Sequence, residues 1–215
     1  QGDGIGQSVA VAFSSNNTAG NLLLVAVGAS GLNVPTASDS VGNTYVEDRR
    51  QIDTGDGSRA YVFSASNIGA GANTVTVTIA GVLALRVAIH EYSGLATSAP
   101  LDQVNSGEGN SASPDSGNAV TLTADELLFG VVRTASGATI TAGTNYTLRQ
   151  QVPTGVSVGR VGSEDRIVSA TGTYSASFSL NNTMTWACII ATYKIAAAGL
   201  AAPIPAIPLV GNLRW

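Results

Sequence analysis

"NLLLVAVGAS", residues 21–30, decides the fold. From Leu22 to Val27 it offers no polar residue to a solvent face, and Gly20 and Gly31 bound it on either side. Such a run reads as a central strand buried on both faces or covered by a further layer. A near-copy, "ELLFGVVRTAS", recurs at 126–136, and the likeness continues downstream. "GNTYVEDRRQI" (42–52) matches "GTNYTLRQQV" (143–152), "TVTVTIA" (74–80) matches "YSASFSL" (174–180), and "LRVAIHEY" (85–92) matches "WACIIATY" (186–193). Each pair is offset by about a hundred residues and the order is kept, which marks an internal repeat.

The repeated segments are short runs rich in Val, Ile, Thr, Tyr and Ala, bounded by Gly, Asn, Ser or Asp. Period-two alternation in "SVAVAF" (8–13), "TVTVTI" (74–79) and "YSASFSL" (174–180) is that of strands with one face on a core. No segment carries a helical period. The expectation is an all-β chain: an antiparallel β-sandwich, jelly-roll or Ig-like, of about twelve strands over residues 1–195. Its two related halves would span about 6–93 and 117–195, with a crossing linker at 94–116. One sandwich is preferred to two small domains, because each half alone has few long apolar strands.

Composition narrows the function. Charged residues make up 11% of the 215, far below the roughly 25% of ordinary soluble domains, so the surface is mostly Ser, Thr, Asn, Gly and Ala. A net charge of −4, with Lys194 the one lysine, leaves no basic patch for a phosphate backbone and argues against nucleic acid. Cys188, the single cysteine, lies in the apolar run "TWACIIATY" and reads as a small buried hydrophobe. The chain begins at Gln1 without an initiator methionine, and the expectation is a mature chain after leader removal.

Catalytic and metal-binding patterns are weak. His90 is the one histidine, its repeat counterpart is Ala191, and no Gly-x-Ser-x-Gly elbow occurs. It reads as a strand-end histidine satisfied by local hydrogen bonds. An enzyme would instead gather it with an acid such as Asp102. Glu47-Asp48 and Glu164-Asp165 are adjacent on their strands and so point to opposite faces; surface ion pairs with the neighbouring arginines are expected, and no enzyme activity. "DTGDGS" (53–58) resembles a fragment of a calcium loop through Asp53 and Asp56, but it lacks the remaining ligands, and a hairpin turn is the preferred reading. No other cofactor is implied. Asn16, Asn145 and Asn181 open glycosylation triplets and are the candidate glycan positions.

The segment 196–215, "AAAGLAAPIPAIPLVGNLRW", differs from everything before it. It is uncharged to Leu213, and Pro203, Pro205 and Pro208 forbid a continuous helix, whether amphipathic or membrane-spanning. An extended, polyproline-like arm rising roughly 3.1 Å per residue would reach about 60 Å, far enough to meet another molecule. Leu200, Ile204, Ile207, Leu209, Val210, Leu213 and Trp215 would be its buried contacts, with Trp215 an anchor in a partner's pocket. Strand pairing with a neighbour's edge is expected chiefly outside 203–208, since proline cannot donate to a ladder.

"SDSVGNTY" (38–45), "NTVTVTIAG" (73–81), "IHEYSGL…APLD" (89–102) and "EDRIVSATGTYSASFSL" (164–180) together resemble a recurrent β-sandwich module of secreted bacterial surface proteins and phage virion proteins. The likeness covers about residues 6–195 and leaves the arm outside. It implies an extracellular, cell-surface or virion setting and no reaction. The expected function is a structural subunit that self-assembles with copies of itself into an extracellular filament, appendage or sheath, the arm of one subunit packing on or into a neighbour. A virion decoration or tail subunit is one alternative, and a carbohydrate-binding adhesin module with exposed aromatic platforms is another.

Overall fold

A computed structural model of the chain describes residues 1–153 and 159–197, which form fifteen strands and no helix. In chain order these are β1 (Gly2–Ala12), β2 (Leu22–Ala29), β3 (Thr36–Asp39), β4 (Val46–Ile52), β5 (Arg59–Ala65), β6 (Thr74–Tyr92), β7 (Leu101–Ser111), β8 (Ala119–Val120), β9 (Glu126–Thr134), β10 (Ile140–Ala142), β11 (Thr147–Val152), β12 (Arg160–Val168), β13 (Thr173–Tyr174), β14 (Phe178–Leu180) and β15 (Met184–Lys194). The surplus over about twelve comes from pieces of two or three residues: the alternating run 174–180, read as one strand, is divided between β13 and β14, and β8 and β10 are too short to show any period.

Two antiparallel sheets carry the architecture, with orders β1-β6-β2-β5-β4 and β11-β12-β9-β15-β7. The segments that match in sequence occupy corresponding places: β2 and β9 are central, β4 and β11 are edges, and the second half of β6 corresponds to β15. Both central strands are buried along almost their whole length. One face of each meets the other sheet in a shared core of Leu22, Leu24, Ala26, Leu127, Phe129, Val131, Ile189 and Tyr193, among others.

The outer faces are covered separately. In the first half, β1 and β6 bend and run on into the cover, where the first half of β6 pairs with both β1 and β3. The bend falls at a bulge between Gly6 and Ser8 and at Gly81, whose φ of +84° is open to glycine without strain. Val9, Val11, Val75, Val77 and Ile79 thereby close over Val25, Val27, Tyr61 and Phe63. In the second half the cover consists of two separate short ladders, β10-β14 and β8-β13. They lay Ile140, Phe178 and Leu180 on Val132, Trp186, Cys188 and Ile190.

Residues 101–111, assigned from sequence to the crossing linker, are instead β7, an edge strand paired along β15. Its Gly-, Ser- and Asn-rich sequence hides it, because a half-buried edge needs little apolar content.

The "SDSVGNTY" segment turns around one carboxylate. Asp39 accepts backbone N–H groups of Val41, Gly42 and Asn43 at 3.2, 2.8 and 3.0 Å. It also accepts the Tyr45 hydroxyl at 2.9 Å and the side-chain amides of Asn43 and Asn73 at 2.7 and 2.9 Å. Asn73 leads into β6, so the carboxylate ties the β3–β4 loop to that strand. Burial raises its pKa, but the hydrogen bonds from Asn73, Asn43 and Tyr45 outweigh this and hold it below the usual carboxylate range. The Asp39 contribution is thus present above the ordinary carboxyl pKa and is lost as pH falls through the depressed value. Asp39→Ala is expected to cost roughly 2–3 kcal/mol at neutral pH by chemical denaturation, from lost charged hydrogen bonds; that deficit should shrink below about pH 4. A deficit unchanged at acid pH would contradict this account.

Candidate functional site: the seam between sheets and the exit of the chain

Strand parity sends the even-numbered residues of β6 toward the facing sheet, and this places His90 in the seam. Its Nε2 lies 3.0 Å from Ser163 Oγ on β12, and its ring meets Phe129 edge-on at 5.2 Å between centroids. The partner is therefore on the opposite sheet, a correction to the local satisfaction expected from sequence. Nucleophile–base spacing is present, yet Ser163 is fully buried, and Asp165 accepts Tyr92 Oη at 2.7 Å and Arg149 Nε at 2.8 Å. Asp102 is engaged elsewhere, accepting Leu122 N–H at 2.7 Å. The arrangement bonds the two sheets together and leaves Ser163 with no solvent-exposed surface. Burial pushes the His90 pKa down to about 4, with Asp165 only partly opposing it.

A second inter-sheet bond runs the other way. Tyr193 on β15 donates to Asp48 Oδ2 at 2.6 Å, and Ser64 donates to Asp48 Oδ1 at 3.0 Å. Burial raises the Asp48 pKa, opposed by these two bonds. Tyr92 and Tyr193 occupy matched positions of the repeat, so each half lends a tyrosine to a carboxylate of the other. Sequence reasoning missed both bonds; the signal was a pair of aspartates whose parity faces the seam. Surface ion pairing describes Glu47, which lies 3.3 Å from Arg50. It does not describe Glu164, which is fully buried, while Asp165 is buried and pairs with the half-exposed Arg149 of β11 rather than with the neighbouring Arg166. Glu164 lies under the second cover, accepts Gly143 N–H at 2.8 Å, and is pushed by burial up to about 8.

Along the adjoining edges β4 and β7, Arg49 Nε donates to Ser106 Oγ at 2.9 Å, and Thr54 Oγ1 donates to Glu108 at 3.0 Å. The turn at 53–58 is the hairpin joining β4 to β5. Asp53 Oδ1 accepts Gly55 N–H and Asp56 Oδ1 accepts Ser58 N–H, both at 2.9 Å. Arg133 from the facing sheet bonds Asp56 and lies 3.7 Å from Asp53 Oδ2. Among the described residues no three His, Cys, Asp or Glu side chains gather as a metal site would require. Asn16, Asn145 and Asn181 are all exposed, and the Asn181 side-chain oxygen accepts Thr139 N–H at 2.9 Å. Cys188 is fully buried, which raises its thiol pKa.

Just after β15 a bridge between Leu95 and Ile195 pins the last described residues to the fold. Ile195 N–H donates to Asp125 O at 3.0 Å and Ala196 N–H to Gly94 O at 2.9 Å. Beside them opens a groove of about 730 Å³ lined by Ala96, Thr123, Ala124 and Ala197. The arm contacts named from sequence, Leu200 to Trp215, lie outside the described residues. No described helix is long and apolar enough to cross a membrane. Comparison with protein-family models, with curated proteins and with solved structures returns no match.

A histidine neutral in the fold and free to protonate when unfolded stabilises fully above its unfolded pKa of about 6.5, and that stability is lost as pH falls toward 4. Its Cδ2–Hδ2 and Cε1–Hε1 NMR signals, the only such pair in the chain, should therefore stay at neutral-imidazole shifts down to about pH 4. His90→Gln should remove a stability loss on the order of 3 kcal/mol between pH 6.5 and 4. An imidazole that titrates near 6.5 in the folded protein would contradict this burial.

Proposed function

We propose that this chain is a structural subunit that self-assembles into an extracellular filament, appendage or sheath, residues 196–215 of one subunit packing on or into a neighbour. The observation that carries the reading is the pinned exit at Ile195 and Ala196, from which an uncharged, proline-interrupted segment continues. Three further features support it. The seam carboxylates and His90 are consumed in bonds between the sheets, which suits a scaffold. Large apolar side chains stand out at Ile5, Leu32, Leu122 and Ile167, between 68% and 78% exposed. Among the described residues no aromatic side chain is exposed, as a glycan platform would need. A head-to-tail contact of this kind is heterologous and propagates into rings or helical filaments. A virion decoration or tail subunit would use the same sandwich and arm, and the resemblance of "SDSVGNTY" and its companion motifs serves both settings.

The test compares the full chain with a version ending at Ala196, by light scattering and negative-stain imaging. Regular polymers from the full chain and a folded monomer from the shorter one are expected. Two monomers of equal stability would overturn self-assembly through the arm.

A further inference from the structure

Arg86 is 8% exposed on the seam face of β6, and no carboxylate comes within ion-pairing distance of it among the described residues. Its guanidinium donates from Nε to Gly159 O at 3.1 Å and from Nη1 to Leu85 O at 2.9 Å, and among the described residues the other donors of this planar five-donor group find no acceptor. Asp3, its cross-strand neighbour on β1, is exposed and acts on it only at a distance. Arg133 approaches from the facing sheet and adds like charge, although its Nη1 is already bonded to Asp56.

Gly28 lies between the two arginines. A Cβ there would come 3.1 Å from Arg133 Cγ, 3.7 Å from Arg86 Cβ and 2.4 Å from Val161 Cγ2, so the absent side chain is what lets the two guanidinium stems share the site. Both arginines line a pocket of about 330 Å³ whose remaining walls include Ile5, Ala29, Ala84 and Ala135. A buried cation whose one counter-charge, the exposed Asp3, stays out of contact is costly to the fold, and an anion entering the pocket would offset that cost.

We propose that this pocket binds a carboxylate attached to a short apolar body, the carboxylate held by Arg86 beside the Asp56-bonded Arg133 and the body lying on Ile5, Ala29 and Ala135. The guanidinium fork matches a carboxylate in geometry, and a compact inorganic oxyanion would leave the alanine and isoleucine walls uncovered. The site is independent of the assembly reading.

The test follows the thermal midpoint and calorimetric binding of the full chain with sodium hexanoate, with hexanamide, and with inorganic phosphate. Hexanoate should raise the midpoint saturably, by at least fivefold more than hexanamide or phosphate does at equal concentration. Arg86→Met should abolish the response while folding as stably as the parent or more so. Ala135→Asp, which places a carboxylate in the pocket, should raise the midpoint without ligand and likewise abolish the response. Equal effects of hexanoate and hexanamide, a response to phosphate alone, or a hexanoate response that survives in either variant would overturn the proposal.

Discussion

Two central strands that are apolar on both faces impose everything else on this molecule. A sheet built on Leu22–Ala29 or on Glu126–Thr134 has no face to give to water, so each must be covered twice. Facing the sheets toward each other covers one side of both at once. The other side demands a separate layer in each half, and the chain supplies it by bending β1 and β6 over the first sheet and by laying short ladders over the second. Layer count follows from the hydrophobic pattern rather than from chain length.

Polar groups then decide how the two sheets register. A purely apolar interface of Leu, Ala, Val and Ile could slide, since such contacts are non-directional. Tyr92 to Asp165, Tyr193 to Asp48 and His90 to Ser163 are directional and lie within the seam. Each would be left with a desolvated oxygen or nitrogen if the sheets shifted by one residue. Arg133, reaching from β9 to the β4–β5 hairpin, fixes the remaining end.

Legibility tracked the strength of period and apolarity. β2, β9 and β15 were plain because continuous apolar runs bounded by glycine and asparagine have few alternatives, and the alternating half of β6 was equally plain. β7 was hidden by its Gly-Ser-Asn composition, and β8, β10 and β13 by their length of two or three residues. The adjacent carboxylates were read correctly as pointing to opposite faces and wrongly as superficial at Asp48, Glu164 and Asp165, since nothing in "EDRR" or "EDRIV" reports a facing sheet against both aspartates or a second cover above Glu164. The bonds of His90 and the two tyrosines span 73 or more positions in sequence, a range over which no local pattern speaks. The arm was distinguished by composition alone and stands on that footing.

The two covers are attached differently, and this affects how the molecule comes apart. β6 runs without interruption through 19 residues from cover to sheet, so the first cover cannot lift without breaking a strand that also holds β2. In the second half the corresponding path is cut at Asn181–Thr183, between β14 and β15. Opening there requires only short ladders to part. The second cover is thus the natural unit of sub-global opening, with amides that exchange ahead of those in the sheets. Glu164 lies beneath it, its pKa pushed up to about 8 by burial, so this layer is most secure in acid and becomes progressively easier to open as pH rises from the ordinary carboxyl range to about 8. The climb from acid to neutral pH therefore acts as a lever on one end of the sequence while the first half stays closed.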